Sequence, residues 1–141
     1  MTPVLPLYFS ITLVLLASTS SAEEYISPDD IEGSMKINAE ALIELAREKQ
    51  DLVIIDSRIQ SDRRQGYIAG SISLPDTETS CTSLFSVIDK KETNTVFYCN
   101  GPKCRRSDRA VEIAVQCGYT NVYWFRGGYE EWHNKNYLIS K

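Results

Sequence analysis

Short apolar runs of strand length alternate with amphipathic helical stretches along most of this chain. Residues 52–55, 95–99 and 121–125 are almost continuously apolar, which is typical of strands covered on both faces. Residues 37–48 and 107–116 instead carry apolar side chains at helical spacing. Strands that alternate with helices usually form one mostly parallel sheet with helices on both faces. We therefore predict a single α/β domain with a central, mostly parallel sheet flanked by helices.

The first 22 residues differ in character from the rest. Residues 4–17 contain 11 apolar residues in 14, no charged residue precedes Glu23, and small residues stand at Ser20 and Ala22. This pattern predicts a secretory signal peptide over residues 1–22, with an uncleaved anchor as the alternative. Cleavage after Ala22 would leave no stable membrane span. Secretion across the inner membrane would bring the protein to the periplasm, where disulfides persist.

Composition narrows the classes of function open to the remaining chain. Residues 23–36 are polar and predict a lead-in, and residues 37–141 predict the folded domain. The formal net charge of −4 argues against a nucleic-acid partner. A single His and four Cys without paired spacing leave no ligand set for a metal. We expect no metal and no cofactor.

One cysteine stands where ligands bind in open α/β sheets. Cys99 ends a predicted strand, and the next predicted helix begins at Ser107. Loops between a strand and a helix N-terminus direct several backbone N–H groups at one anion. Cations and helix N-termini also favour the nucleophilic thiolate. Cys99 is therefore the predicted nucleophile, and a buried strand-end thiol beside a solvated basic face is the structural alternative.

The residues after Cys99 form the predicted anion-binding loop. Four cations and one Asp give residues 100–109 a charge of +3 in a chain of −4. That contrast indicates an anionic substrate. The candidate substrate- and anion-binding residues are Asn100, Gly101, Lys103, Cys104, Arg105, Arg106 and Ser107.

Motifs in both halves of the chain resemble the rhodanese family of thiosulfate sulfurtransferase-like domains. In the first half these are Asp-Ser-Arg at residues 56–58, Gly-Tyr-Ile-Ala-Gly at 66–70 and Leu-Pro at 74–75. In the second half they are the loop that Cys99 opens and Arg106-Ser107 closes, Gly-Tyr at 118–119, Gly-Gly at 127–128 and Trp132. The similarity covers about residues 37–138.

The resemblance implies a sulfurtransferase that carries sulfane sulfur as a persulfide on Cys99. Its donor would be thiosulfate or a similar small anion, and its acceptor a thiol, a cyanide-like nucleophile or a protein. Two residues at a predicted strand end are candidate supporting residues. We interpret Asp56 as a hydrogen-bond acceptor that fixes the loop, and Arg58 as an ion-pair partner or a cation at the rim of the site.

Three departures from the family pattern keep other functions open. Tyr67 stands where the family usually has His, the loop is two residues longer than in many of its sulfurtransferases, and Cys104 is an additional thiol. The spacing from Cys99 to Arg105 also matches the oxyanion loop of cysteine phosphatases and arsenate reductases, in which the Arg binds the anion. Residues 100–106 contain no Asp, Glu or His to protonate a leaving oxygen, which favours sulfur transfer. A non-catalytic or redox binding module is the third alternative.

The disulfide state of the four cysteines stays open at this stage. Cys99 and Cys104 can form a disulfide if their Cα atoms come within about 7 Å, and Cys104 would then protect Cys99 or resolve a persulfide. The alternative is a Cys104 thiol that points away from the site. Cys81 and Cys117 are predicted to be packing or structural thiols. Four cysteines allow three pairings, between which the sequence does not choose.

Overall fold

The computed structural model describes residues 1–3 and 22–141. Nearly all of the predicted signal peptide therefore lies outside the described residues. None of the helices in the described part has both the length and the apolar character needed to cross a bilayer.

A five-stranded parallel sheet forms the centre of the fold, which confirms the predicted α/β class. Its strands lie in the order β1-β6-β5-β2-β4, and every neighbouring pair is parallel. They are β1 (Ser34–Ile37), β2 (Val53–Asp56), β4 (Ile72–Ser73), β5 (Thr95–Tyr98) and β6 (Val122–Phe125). Two further short strands, β3 (Tyr67–Ile68) and β7 (Ile139–Ser140), form a separate antiparallel pair. Because β5 is the middle strand, its carboxyl end lies at the centre of one sheet edge.

Within residues 22–141, five helices connect and cover these strands. They are α1 (Ala39–Glu48), α2 (Gln60–Arg63), α3 (Cys81–Val87), α4 (Arg106–Gln116) and α5 (Gly128–Asn134), and a 3₁₀ turn at Asp76–Glu78 precedes α3. The predicted N-cap of α1 is confirmed, since the Asn38 side chain accepts a hydrogen bond from the Ala41 N–H at 2.9 Å. Helix α3 begins at a reciprocal capping box between Ser80 and Ser83.

Two apolar clusters lie on the two faces of the sheet. Phe97 of β5 packs into one cluster with α3 and α4, and the adjacent Val96 packs into the other with α1 and α5. Successive residues of a strand point to opposite faces, so a central strand covered on both faces is buried at every position. All four residues of β5 are accordingly fully buried. Each fully buried large apolar side chain contributes about 1.5–3 kcal/mol to this packing.

The segment before residue 37 is more ordered than the sequence analysis predicts. Ser34–Ile37 pairs with β6 as an edge strand of the sheet, although Met35 and Lys36 are exposed and the segment has no apolar run. Nearer the N-terminus, the Ser27 N–H donates to the Pro102 carbonyl at 2.7 Å, and the Arg126 guanidinium donates to the carbonyls of Ser27 and of Pro28, each at 2.8 Å. The segment is therefore attached to the domain at Ser27 and Pro28 and joins the sheet from Ser34, although most of its side chains are exposed.

Candidate active site

The loop from Cys99 to Arg105 connects β5 to α4 at the carboxyl edge of the sheet. Its first two residues are fixed by the start of α5, where the Tyr129 and Glu130 N–H groups donate to the Cys99 and Asn100 carbonyls, each at 2.8 Å. Gly128 lies directly against this segment with φ +58°, a backbone conformation that favours glycine. A Cβ at Gly128 would overlap the Cys99 carbonyl oxygen, so the glycine allows α5 to approach the loop closely.

The structure pairs the four cysteines as two disulfides. Cys99 is bonded to Cys104 within the loop, with their Cα atoms 6.1 Å apart. Cys81 is bonded to Cys117, which links the start of α3 to the end of α4 with a Cα separation of 5.4 Å. A turn in which the Cys104 N–H donates to the Gly101 carbonyl at 2.9 Å brings Cys104 back over Cys99. The predicted nucleophile is therefore in an oxidised state, and this loop must be reduced before Cys99 can react as a thiolate.

A cleft of about 510 Å³ lies beside the loop. The cleft is lined by Asp76, Asn100, Gly101, Lys103, Cys104, Arg105, Arg106, Arg109 and Glu130. Six of the seven predicted anion-binding residues thus face one cavity. Cys99 lies beneath it and is 1% exposed, whereas Cys104 is partly exposed.

Ser107 is the predicted binding residue that the structure places elsewhere. Its side chain is buried, and its hydroxyl accepts a hydrogen bond from the indole N–H of Trp124 at 3.3 Å. Ser107 belongs to the first turn of α4 and packs toward the sheet. The sequence could not reveal this orientation, because Trp124 is 17 residues away in the chain.

The cations of the cleft differ in their partners. Arg106 forms an ion pair with the buried Asp76, and Arg109 reaches the same carboxylate at 3.3 Å. Lys103 pairs with Glu24 at 2.7 Å, and both of these side chains are exposed. Arg105 stacks on the Tyr25 ring, with its guanidinium carbon 4.3 Å from the ring centroid. Within the described residues no carboxylate forms an ion pair with Arg105, so it is the cation of the cleft most available to an incoming anion.

Several backbone donors of the loop are also available. The hydrogen bonds among residues 22–141 do not use the N–H groups of Asn100, Gly101 or Lys103, all of which line the cleft. The Asn100 side chain is occupied instead, since its amide nitrogen donates to Asp62 at 2.8 Å and its oxygen accepts from Arg58 at 3.4 Å. Unused N–H groups around a cavity favour an anion in that cavity.

A buried charge network supports the loop from below. The Asp56 carboxylate is fully buried and accepts hydrogen bonds from the side chains of Arg58 (2.8 and 2.9 Å), Arg63 (2.9 Å) and Tyr98 (2.8 Å). Arg58 is 1% exposed and also donates to the Gly66 carbonyl at 2.9 Å. Arg58 is therefore an ion-pair partner as predicted, and the alternative of a cation at the rim is wrong, because its guanidinium is enclosed beneath the site. Asp56 acts on the loop through Arg58 and Tyr98 and makes no direct bond to it.

The same network determines the charge states of its members. Burial by itself raises the pKa of Asp56, but the hydrogen bonds and the positive charge of Arg58 outweigh it and lower that pKa below its usual value. Burial by itself lowers the pKa of Arg58, but the hydrogen bonds to Asp56 and its negative charge outweigh burial and raise that pKa above its usual value. Burial and the charge of Asp56 together raise the pKa of Tyr98, so its hydroxyl remains a hydrogen-bond donor.

Three contributors to the site were missed by sequence reasoning. Asp76 comes shortly after β4, and β4 ends at the same edge of the sheet as β5. This position after a parallel strand could have indicated Asp76 from the sequence. Tyr25 donates to the Asp108 carboxylate at 2.6 Å, but it lies in a polar segment without any local pattern. Arg63 joins Asp56 from the short helix α2, and its guanidinium also stacks on the Tyr67 ring at 3.7 Å.

The described residues contain no metal-binding cluster. In residues 1–3 and 22–141 no three His, Cys, Asp or Glu side chains converge on one point. The groups that line the cleft are the Cys104 side of the loop disulfide, four cations, backbone N–H donors and the carboxylates of Asp76 and Glu130, a set in which positive charge predominates and which is suited to anionic ligands.

Comparison with known proteins relates the chain to one family. The family model described as "Rhodanese-like domain" matches residues 38–135. The uncharacterized protein YibN of Escherichia coli is 28% identical over 88 residues, which are 62% of this chain and 60% of YibN. The chain thus spans about 60% of the length of the curated relatives it matches.

Solved structures show the same fold. A protein from Bacillus halodurans superimposes with a TM-score of 0.66 at 23% identity, covering 76% of this chain and 77% of its own. A thiosulfate sulfurtransferase from Pseudomonas aeruginosa gives a TM-score of 0.65 at 21% identity, covering 76% of this chain but only 20% of that protein. A rhodanese-related protein from Thermoplasma volcanium gives 0.61 at 25% identity, with coverage of 75% and 97%.

Proposed function

The chain belongs to the rhodanese-like domain family, and from this premise we propose that it is an exported sulfurtransferase that carries sulfane sulfur as a persulfide on Cys99. The observation that carries the proposal is the position of Cys99. It follows the central strand of the sheet and opens a loop whose unused N–H groups and cations surround one cleft.

Sulfur transfer to Cys99 is chemically balanced with thiosulfate as the donor. The Cys99 thiolate attacks the outer sulfur of thiosulfate, the S–S bond of the donor breaks, and its electron pair leaves with sulfite. The product is an anionic persulfide, which N–H groups and cations stabilise. No proton is needed for sulfite to leave, which agrees with a loop that contains no Asp, Glu or His between Asn100 and Arg106. An acceptor such as cyanide or a thiol then takes the outer sulfur from Cys99.

Arg105 is the proposed contact for the anionic end of the donor. Its guanidinium lines the cleft and has no carboxylate partner in the described part of the chain, whereas Arg106 and Arg109 share Asp76. A guanidinium can bind two oxygens of a sulfonate at once, which adds orientation to charge attraction. The donor would then lie with its outer sulfur toward Cys99.

Export is supported by two independent features. The apolar run at residues 4–17 has the character of a signal peptide, and all four cysteines are paired. Disulfides form and persist mainly outside the cytosol. We therefore place the mature protein in the periplasm, where a reductant would be needed to open Cys99–Cys104.

The proposal is tested by the formation of thiocyanate from thiosulfate and cyanide. We expect activity from the reduced protein, none from the air-oxidised protein, and none from Cys99→Ser, because an alcohol is not ionised at neutral pH. The matched control is Cys81→Ser/Cys117→Ser, which removes two cysteines outside the cleft and should retain turnover. Full activity of Cys99→Ser would overturn the assignment of the nucleophile.

The oxyanion alternative is separated by a second substrate. A phosphatase of this loop length would release phosphate from an aryl phosphate, and that release would depend on Arg105. We expect thiocyanate and little phosphate from the wild-type protein. Strong phosphate release without any thiocyanate would replace the sulfurtransferase proposal with the oxyanion one.

A further inference from the structure

The second cysteine of the loop is not required by the sulfur transfer described above. Cys104 is bonded to the same sulfur atom that would carry the persulfide. We propose that Cys104 resolves the Cys99 persulfide and releases hydrosulfide, so that the protein acts as a sulfide-forming thiosulfate reductase when a dithiol reduces it again. This inference rests on the proposed function, because it begins from the persulfide.

The geometry of the loop supports attack by Cys104 on the inner sulfur. The Cα atoms of the two cysteines are 6.1 Å apart, within the range that a disulfide spans without backbone movement. The turn from Gly101 to Cys104 and the two hydrogen bonds from α5 hold this separation through backbone contacts that do not involve either sulfur. Reduction therefore leaves the two sulfur atoms close together.

Burial determines which thiol can make this attack. Cys99 is 1% exposed in the disulfide form, so a thiol from solution can approach this sulfur only through the cleft, where Cys104 already lies. Cys104 is the residue that the loop holds against that sulfur, and it is partly exposed. A nucleophile fixed in position has a large advantage over one that must diffuse to a covered atom.

Two cations are direct sequence neighbours of Cys104, and one of them, Arg105, has no carboxylate partner among the described residues. Lys103 and Arg105 flank it in the chain, and Arg106 and Arg109 line the same cleft. Nearby cations increase the thiolate fraction of a cysteine. Cys81 and Cys117 are bonded to each other, so Cys104 is the resolving thiol that the chain offers.

The step balances in atoms and electrons. The Cys104 thiolate attacks the Cys99 sulfur, the Cys99–Cys104 bond forms, and the bond from Cys99 to the outer sulfur breaks. The electron pair leaves with that outer sulfur, which takes up the proton that Cys104 lost and departs as HS⁻. In this step the Cys104 sulfur is oxidised and the outer sulfur is reduced, and over both steps together the two cysteine sulfurs supply the two electrons that turn the sulfane sulfur into sulfide. A dithiol reductant then restores both thiols by exchange, entering at the partly exposed Cys104.

A single-turnover experiment tests this proposal without any reductant present. Protein is reduced, freed of reductant without air, and mixed with thiosulfate, and sulfite and sulfide are then measured together with the intact mass. We expect the wild-type protein to release about one sulfite and one sulfide per chain and to end as the disulfide. Cys104→Ser should release sulfite, keep the mass of one extra sulfur atom, and release at least about tenfold less sulfide.

Controls separate the resolving role of Cys104 from a loss of folding and from reaction between two chains. Sulfite release by Cys104→Ser shows that this variant is folded and forms the persulfide, and Cys104→Ala provides an independent replacement. Cys81→Ser/Cys117→Ser should give the wild-type amount of sulfide, because its only thiols are Cys99 and Cys104. A sulfide release rate that is independent of protein concentration is expected for attack within one chain.

The two proposals fail in different ways. Sulfite without sulfide from the wild-type protein, with a lasting persulfide, would overturn the role of Cys104 and leave the sulfurtransferase intact. Equal sulfide from wild type and Cys104→Ser would also overturn it. Absence of sulfite from both would overturn the sulfurtransferase and this inference together.

Discussion

At the scale of single residues, the site depends on the carboxylate of Asp56, which does not line the cleft. Asp56 is fully buried and is bonded to Arg58, Arg63 and Tyr98. Breaking a buried ion pair from one side leaves an uncompensated charge in the interior, which usually costs about 3–5 kcal/mol. The network therefore holds Tyr98, which directly precedes the loop, in place, and Arg58 connects the network to Asn100 within the loop.

Asp56→Asn should lower the free energy of unfolding by about 3–5 kcal/mol, because two guanidinium groups lose their buried counter-charge. The folded pKa of Asp56 lies below its ordinary value of 3.8, so the unfolded chain binds more protons below about pH 4. The stability contributed by Asp56 is present above that pH and is lost as the pH falls through the folded pKa. Denaturant titrations between pH 2 and 7, at about unit intervals, check this dependence.

The matched control for Asp56 is Asp89→Asn, at an exposed residue. The difference in stability between Asp56→Asn and the wild type should shrink on acidification, while Asp89→Asn should differ little from the wild type throughout. If the difference in free energy of unfolding between Asp56→Asn and the wild type did not change with pH, the ionised carboxylate would contribute nothing to stability.

Arg105→Ala should lower kcat/KM for thiosulfate by about 10- to 150-fold, the effect of losing a charge-assisted hydrogen bond of about 1.5–3 kcal/mol. Arg105 lines the cleft without a carboxylate partner in the described part of the chain. Arg47→Ala removes the same charge from α1, which contributes no residue to the cleft, and should have almost no effect. Steady-state kinetics with thiosulfate measure kcat/KM for both variants. Equal decreases in kcat/KM would show that Arg105 acts only through the overall charge of the protein.

At the scale of elements, the reactive loop is positioned by a helix that follows it by some thirty residues. The start of α5 donates two backbone hydrogen bonds to Cys99 and Asn100. Such a close approach of two backbones requires a residue without a side chain at Gly128. The shape of the cleft is therefore a property of the β5–α4 loop and α5 together.

Gly128→Ala should disturb the loop as well as the stability of the protein. A positive φ costs a non-glycine residue about 1–2 kcal/mol, and the new Cβ would also overlap the Cys99 carbonyl and lie 3.0 Å from the Asn100 carbonyl carbon. Gly118→Ala is the matched control, since Gly118 has φ +88° but no atom within 4 Å of the position that a Cβ would take. We expect both variants to be destabilised and only Gly128→Ala to lose thiocyanate formation by about tenfold or more. Equal activity of the two variants at matched folded fractions would contradict this role for α5.

At the scale of the whole molecule, the two disulfides differ in the length of chain that they close. Cys81 and Cys117 are 36 residues apart and connect two helices, whereas Cys99 and Cys104 are 5 residues apart within one loop. A longer closed loop restricts the unfolded chain more strongly. The long link is therefore suited to stabilise the fold, and the short link can open for chemistry with little loss of structure.

Cys81→Ser/Cys117→Ser should lower the free energy of unfolding by about 3–4 kcal/mol, and Cys99→Ser/Cys104→Ser by about 2 kcal/mol. Urea denaturation of the oxidised proteins measures both values. A larger loss of stability from the short link would reverse the roles given to the two disulfides.

Local sequence patterns were sufficient to predict the α/β class, the buried strand at residues 95–99 and the position of Cys99 before a basic loop. These features depend on local periodicity and on the rule that parallel strands present their carboxyl ends at one edge. The N-cap of α1 could also be predicted from the sequence, because Asn38 bonds to an N–H group of the helix turn that directly follows it. Family resemblance added the interpretation of Cys99 as a sulfur carrier, which the local pattern alone does not contain.

The folded structure was needed to show which cysteines pair, which cations of the loop already have partners, and that Ser34–Ile37 is a strand of the central sheet. Asp76 meets Arg106 across 30 residues of chain, and Tyr25 meets Asp108 across 83. The Ser107 side chain points away from the cleft because its hydroxyl accepts a hydrogen bond from the indole of Trp124 in β6. Such contacts leave no periodic signal, because they depend on how separate elements pack and not on the order of residues within any one of them.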